Sequence, residues 1–164
     1  MSGDQRDVHQ MNKVYILRHA KAEKQGDTDH ARALNEKGGL QAAALGTWIA
    51  EVGIEFDAVV VSSSARTQET QEGLGLESGT VEVSKAAYNA DANTLIRLIQ
   101  ESGAKSSLLI IAHNPGVSDL CQMAGHDAEL KTCTLVELDC PMPITEFDPT
   151  SCTVSRVVHP EVEV

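Results

Sequence analysis

The chain has 164 residues, 41% hydrophobic and 23% charged, a balance that suits one soluble domain with a core large enough to need no disulfide staples. Its formal net charge of −11 argues against nucleic acid or an anionic membrane as a partner, since both select basic surfaces. No apolar run approaches the ~20 residues of a membrane helix.

Met1–Asn12 is polar and without period, so it is expected to be a flexible tail on a single domain spanning residues 13–164. Lys13–Arg18 reads as a buried strand that stops at Arg18-His19-Ala20-Lys21. The charged stretch Ala20–Arg32, with its Gly26-Asp27 turn signal, is expected to loop over that strand end. Asn35 can cap a helix over Glu36–Val52, and Gly53 can stop it. The β-branched Phe56–Val61 is the second strand, and Ser62-Ser63-Ser64 opens a helix over Ala65–Leu74. A short strand follows at Thr80–Val83, then a helix capped by Asp91 or Asn93 and carrying Leu95, Ile96, Leu98 and Ile99. Ser107–Ala112 is the fourth strand. His113-Asn114-Pro115-Gly116 turns it into another helix, with Pro115 suited to the first helical turn. Thr134–Asp139 and Thr153–Val158 alternate enough to form two late antiparallel strands, with Pro141, Pro143 and Pro149 in the loop between them.

Strands alternating with helices predict a three-layer α/β/α sandwich, its central sheet mostly parallel and its late strands antiparallel. Loops that follow parallel strands leave from one edge of a sheet, where ligands bind. Three strand ends therefore converge: Arg18 and His19 from the first, Ser62 and Arg66 from the second, His113 and Asn114 from the fourth. Guanidinium forks match phosphate oxygens, and a helix opening at Asn114-Pro115 would add N–H groups and a favourable dipole end. A phosphoryl group is the natural guest.

Cys121, Cys133, Cys140 and Cys152 show neither Cys-x-x-Cys spacing nor a finger-like interval to histidine, which argues against zinc. With no signal segment they read as reduced thiols of a cytoplasmic protein. Ser63 and Ser64 stand in no Gly-x-Ser-x-Gly elbow, so a serine nucleophile is set aside. His9, His30, His126 and His159 read as surface histidines, and Asp29 with Arg32 as an ion pair fixing the loop.

Arg18-His19-Ala20-Lys21, the segment Ser62–Thr70 and His113-Asn114-Pro115-Gly116 together resemble the histidine phosphatase superfamily, the group of phosphoglycerate mutases and acid phosphatases. Asp29-His30-Ala31-Arg32-Ala33-Leu34 and Gly38, in so short a chain, resemble its SixA-type phosphohistidine phosphatases. That resemblance implies a phosphoglycerate mutase-like fold. It implies His19 as a nucleophile that becomes phosphorylated, and Arg18, Arg66 and His113 as the grip on the phosphoryl oxygens. Asn114 would add its backbone N–H, Lys21 would help attract phosphate, and no metal or other cofactor would be required. Larger members carry an acidic proton donor after the third strand. Here Asp91 is the only carboxylate in that segment, and it reads first as a helix cap and second as the proton donor. A phosphorylated protein bearing phosphohistidine is the implied partner. The alternatives are a small phosphomonoester substrate at the same site, or a non-catalytic phosphate-binding regulatory module.

Overall fold

A computed structural model describes residues 11–163. Six strands and four α-helices are present among them: β1 (Asn12–Arg18), α1 (Glu36–Val52), β2 (Ala58–Ser62), α2 (Ala65–Leu74), β3 (Thr80–Ser84), α3 (Ala92–Gln100), β4 (Ser107–Ala112), α4 (Gly116–Met123), β5 (Leu135–Cys140) and β6 (Thr153–Val158). The tail expected over Met1–Asn12 lies, save for Met11 and Asn12, outside the described residues.

The strands form one sheet in the order β3-β2-β4-β1-β5-β6. β1, β2, β3 and β4 run parallel, while β5 and β6 are antiparallel additions beside β1. Side chains alternate across a strand, and β1 shows what that does to the core. Tyr15 and Leu17 join Val59, Val61, Leu109 and Ile111 under α1 and α2, which contribute Ala42, Leu45, Ile49 and Leu74. Val14 and Ile16 join Val60, Leu108 and Ile110 on the other face, under Leu95 and Ile99 of α3 and Val117 and Leu120 of α4. The architecture is thus the expected three-layer α/β/α sandwich.

Some boundaries move, for local reasons. β2 begins at Ala58, not Phe56. The Asp57 carboxylate accepts the backbone N–H groups of Lys105, Ser106 and Ser107, which ties this residue to the turn before β4 and keeps it out of the strand. The third helix takes Asp91, not Asn93, as its cap, through a 2.9 Å bond from the Thr94 N–H. Pro115 is the N-cap of α4 and lies one place before its first turn.

Two glycines permit the contacts that bring helices to the site. Gly38, in the first turn of α1, lies so close to the Lys21 carbonyl that a Cβ would come within 2.0 Å of the oxygen. Gly116, at the start of α4, meets the Ala90 carbonyl in the same way, at 2.1 Å. Gly46 performs the equivalent service between α1 and α2, against the Leu74 carbonyl at 2.1 Å. Gly46→Ala is therefore expected to force the two helices apart and cost about 1–3 kcal/mol. Gly39→Ala, on the open side of the same helix with nothing within 4 Å, is expected to raise stability by up to about 1 kcal/mol. Paired thermal or urea melts of the two variants check both signs.

Candidate active site

The carboxyl ends of β1, β2 and β4 meet at a crevice of about 280 Å³ that Arg18, His19, Arg66 and His113 line together. Lys21, Ala22, Arg32, Asn89, Asn114 and Thr132 complete the wall. Among the described residues, neither Asp nor Glu is part of the wall, and the Asp29 carboxylate stands beside it on Arg66. No group of three or more metal-ligating side chains occurs among the described residues.

His19 follows the last residue of β1 and is 7% exposed. Its Nδ1 lies 2.7 Å from the Ala20 carbonyl, which can only accept, so Nδ1 carries the proton and Nε2 keeps its lone pair. Burial, with Arg66, Arg18 and Arg32 nearby, pulls its pKa down to about 4, against the opposing pull of the Ala20 bond. The ring is therefore a neutral, oriented base at ordinary pH. The next backbone N–H, of Ala20, donates to Thr70 Oγ1 at 2.9 Å, and Thr70 Oγ1 donates to the Arg66 carbonyl at 2.7 Å. These bonds lock the end of β1 to α2.

His113 is 3% exposed, and its ring lies 5.3 Å from that of His19, centroid to centroid. Burial, then the charges of His19 and Arg66, pull its pKa down to about 3. Its Nε2 meets the Ser62 hydroxyl at 2.8 Å. With the hydroxyl donating, the proton sits on Nδ1, which is buried and has no partner. Ser62 is thus a residue that orients His113.

Arg66 is 4% exposed, and its guanidinium is held by Asp29: Nη1 donates to the Asp29 carbonyl at 2.8 Å and Nη2 to its carboxylate at 3.2 Å. Arg18 donates from Nη1 to the Leu130 carbonyl at 3.0 Å. Burial lowers its pKa, as does the neighbouring Arg66. Three buried side-chain nitrogens have no partner among the described residues: Nε of Arg18, Nε of Arg66 and Nδ1 of His113. All three belong to residues of this crevice. Buried polar groups are nearly always satisfied, so these three nitrogens set the crevice apart from the rest of the described core.

The remaining sequence candidates divide. Lys21 is exposed at the mouth of the crevice. The Asn114 side chain faces elsewhere: Nδ2 donates to the Leu130 carbonyl at 2.9 Å, and Oδ1 accepts from Ser118. Beyond Asn114, the α4 terminus has its Val117 N–H already committed to the His113 carbonyl at 3.0 Å, so it offers fewer free N–H groups than a bare helix end. Asp91 is at the α3 cap and outside the crevice wall, so its carboxylate is spent on Thr94 and is not placed as a proton donor.

Tyr88 is the group that sequence reasoning passes over. Its hydroxyl donates to the Asp29 carboxylate, and its ring stands edge-on to His113 at 5.5 Å and to His30 at 4.8 Å. Asp29 thus gathers Tyr88, Arg66 and Arg32, the last through Nε at 3.0 Å, and the Tyr88 bond leads in holding its carboxyl far below the usual carboxylate range. The Asp29–Arg32 pair is present as expected, but its partner across the loop is Arg66. A lone tyrosine in a polar turn has no spacing to mark it, so no sequence signal identifies this contact. His30, expected on the surface, is exposed and bonds to Ser63 Oγ at 2.9 Å.

Because both imidazoles are neutral in the fold, the unfolded chain takes up protons first as pH falls through about 6.5. The fold is then expected to lose stability between about pH 6.5 and the two depressed values, near 4 for His19 and near 3 for His113. Urea melts from pH 7 to 4 of the native chain and of a His19→Gln, His113→Gln double variant measure this. The variant should show the shallower decline.

A model of the histidine phosphatase superfamily (branch 1) matches residues 14–88. An uncharacterised protein of Mycobacterium tuberculosis is 30% identical over 118 residues, which cover 68% of this chain and 74% of that protein. The mitochondrial serine/threonine-protein phosphatase Pgam5 of Drosophila mojavensis is 37% identical over 59 residues, 36% of this chain. The match spans only about a fifth of that relative's length. Among solved structures, the Agrobacterium tumefaciens protein described as a phosphohistidine phosphatase SixA superposes with a TM-score of 0.78 at 25% identity, over 92% of this chain and 99% of its own. The protein histidine phosphatase SixA complexed with tungstate gives 0.75 at 22%, over 90% and 96%. The matched segment holds Arg18, His19 and Arg66, the fold supplies His113 beside them, and the chain belongs to the histidine phosphatase superfamily, on its SixA-type branch.

Proposed function

We propose that this protein is a cytoplasmic phosphohistidine phosphatase, acting without a metal on a phosphorylated protein. The observation that carries the reading is a crevice that holds an oriented imidazole with a free Nε2 among phosphoryl-binding donors, and whose wall contains no carboxylic acid. His19 Nε2 attacks phosphorus, and the bond to the leaving nitrogen breaks with its electron pair staying on that nitrogen. Phospho-His19 forms, and water then displaces the phosphoryl group and regenerates the ring, so one hard displacement becomes two easier ones. Arg18, Arg66 and His113 stabilise charge on the non-bridging oxygens through both steps. An alkoxide leaves poorly without a proton donor. A phosphohistidine protonated on its distal nitrogen leaves as a neutral imidazole and asks for less. The likeness to a SixA complexed with tungstate supports an oxyanion site.

His19→Ala is expected to abolish turnover while the chain stays folded, and rapid-quench labelling of the native chain should find acid-labile, base-stable phosphate on His19. Label on Ser62, Ser63 or Ser64 instead overturns the nucleophile, and no turnover of any substrate leaves the regulatory-module reading. In a panel run under identical conditions with EDTA present, phosphohistidine protein should exceed alkyl phosphate esters in kcat/KM. Equal rates would transfer the proposal to a small phosphomonoester, and a requirement for added metal would end the metal-free mechanism.

Arg66→Ala should lower turnover about 10²–10³-fold, the usual loss on removing one oxyanion donor. Asp29→Ala leaves the guanidinium in place but unaimed, and is expected to lower turnover up to about 10²-fold. Asp91→Asn, at the α3 cap, should leave turnover unchanged. Steady-state kinetics on the same phosphoramidate, with circular dichroism to confirm folding, checks all three.

A further inference from the structure

At the far end of the sheet from the crevice, two thiols face each other across the β5–β6 hairpin. Cys140 ends β5 and Cys152 immediately precedes β6. Asp139 pairs with Thr153 in the antiparallel ladder, so the next rung outward sets Cys140 opposite Cys152. Opposed residues of antiparallel strands have Cα atoms about 4.5–5.5 Å apart, within the span that a disulfide bridges. The sulfurs turn toward one another and lie 3.1 Å apart. Both are free thiols in the core, with Cys140 1% and Cys152 8% exposed. Cys121 and Cys133, by contrast, sit on opposite faces of the sheet, each within its own apolar cluster.

We propose that Cys140 and Cys152 are a dithiol that a hydroperoxide converts to a cross-strand disulfide. The Cys152 thiolate attacks the peroxide O–O bond. A sulfur–oxygen bond forms, the O–O bond breaks, and the departing hydroxide takes a proton to become water. Cys152 is now a sulfenic acid. The Cys140 sulfur attacks it, gives up its own proton, and the sulfenic oxygen leaves as a second water. Two thiols and one hydrogen peroxide thus give one disulfide and two waters, the thiols oxidised and the peroxide reduced. The order of events follows from exposure, since Cys152 is the more exposed residue of the pair.

The cross-link closes a segment with a structural task. Between the two cysteines lie the 3₁₀ turns Ile144–Glu146 and Pro149–Ser151. Ile144 and Phe147 from this segment enter the core under α3 and α4, and Gln100 Nε2 donates to the Phe147 carbonyl at 2.9 Å. Cys140 pairs with Asn12, at the start of β1, whereas Arg18 is at its end. Oxidation therefore pins the cover of one core and leaves the phosphoryl site alone.

The test treats the native full chain with hydrogen peroxide, quenches with catalase, denatures, alkylates with N-ethylmaleimide and maps the peptides by mass. Two of the four thiols should escape alkylation, the intact mass should fall by two hydrogens, and the Cys140 and Cys152 peptides should be joined until dithiothreitol parts them. The oxidised chain should melt at higher temperature with turnover unchanged. Cys140→Ser should give a sulfenic or higher acid at Cys152 and no link. The proposal is overturned by full alkylation of all four thiols after peroxide, by an unlinked sulfinic acid at Cys152 in the native chain, or by a link to Cys121 or Cys133. The peptide map of the native chain decides the matter even if the variant does not fold.

Discussion

Four nitrogen-bearing side chains crowd the end of this sheet, and the fold has to hold them there against burial and mutual repulsion. Arg18, His19, Arg66 and His113 are each largely removed from water, and the guanidinium charges of Arg18, Arg66 and Arg32 at one small crevice disfavour any further positive charge. The structure meets this by assigning different states to chemically similar groups. The imidazoles give up their protons, with pKa values near 4 and 3. The guanidiniums keep theirs and are matched to oxygen, Arg66 to Asp29 and Arg18 to the Leu130 carbonyl. The neutrality of His19 is thus set first by burial and then reinforced by the cations beside it.

The opposing solution appears away from the crevice. Glu137 on β5 is 4% exposed and yet ionised, its pKa brought down to about 2. Burial alone would raise it, but Arg156, Ser155 and Tyr15 all donate to the carboxylate and outweigh that cost. Arg156 in turn lies over the Trp48 ring at 5.1 Å. Both carboxylate oxygens of Glu137 have donors, so it is a closed structural network. The crevice at the carboxyl end of β1 leaves buried nitrogens without partners among the described residues, and that difference separates the two clusters.

Much of the architecture was legible in the chain because it rests on period and punctuation. β1, β2 and β4 announce themselves by uninterrupted branched or apolar residues, and Asn35 with Gly53 brackets α1 through a cap at one end and a left-handed turn at the other. The two-sided core follows from strand parity alone. What stayed hidden depends on side chains that meet across loops. Nothing in Asp29-His30-Ala31-Arg32 says that its carboxylate reaches Arg66 in α2, or that Tyr88 reaches that same carboxylate. Asp91 was ambiguous for a related reason: a carboxylate before a helix serves equally as a cap or as an acid until its distance from the crevice is known. The rung that opposes Cys140 and Cys152 was out of reach as well, since pairing two strands across three prolines requires the register.

The division of β1 between two cores has a consequence for how this chain can vary. Odd-numbered positions of the strand face α1 and α2, even-numbered positions face α3 and α4, and Arg18 and His19 continue the count at its end. Inserting or deleting one residue anywhere in Val14–Leu17 would exchange the faces of every side chain beyond it. Arg18 and His19 would also be displaced relative to Arg66 and His113. Substitutions that keep volume are open to each position separately, but changes in length are barred to the strand as a whole. Lineages of this fold should therefore record their insertions in the loops, such as the exposed stretch after Lys21, and almost never within β1.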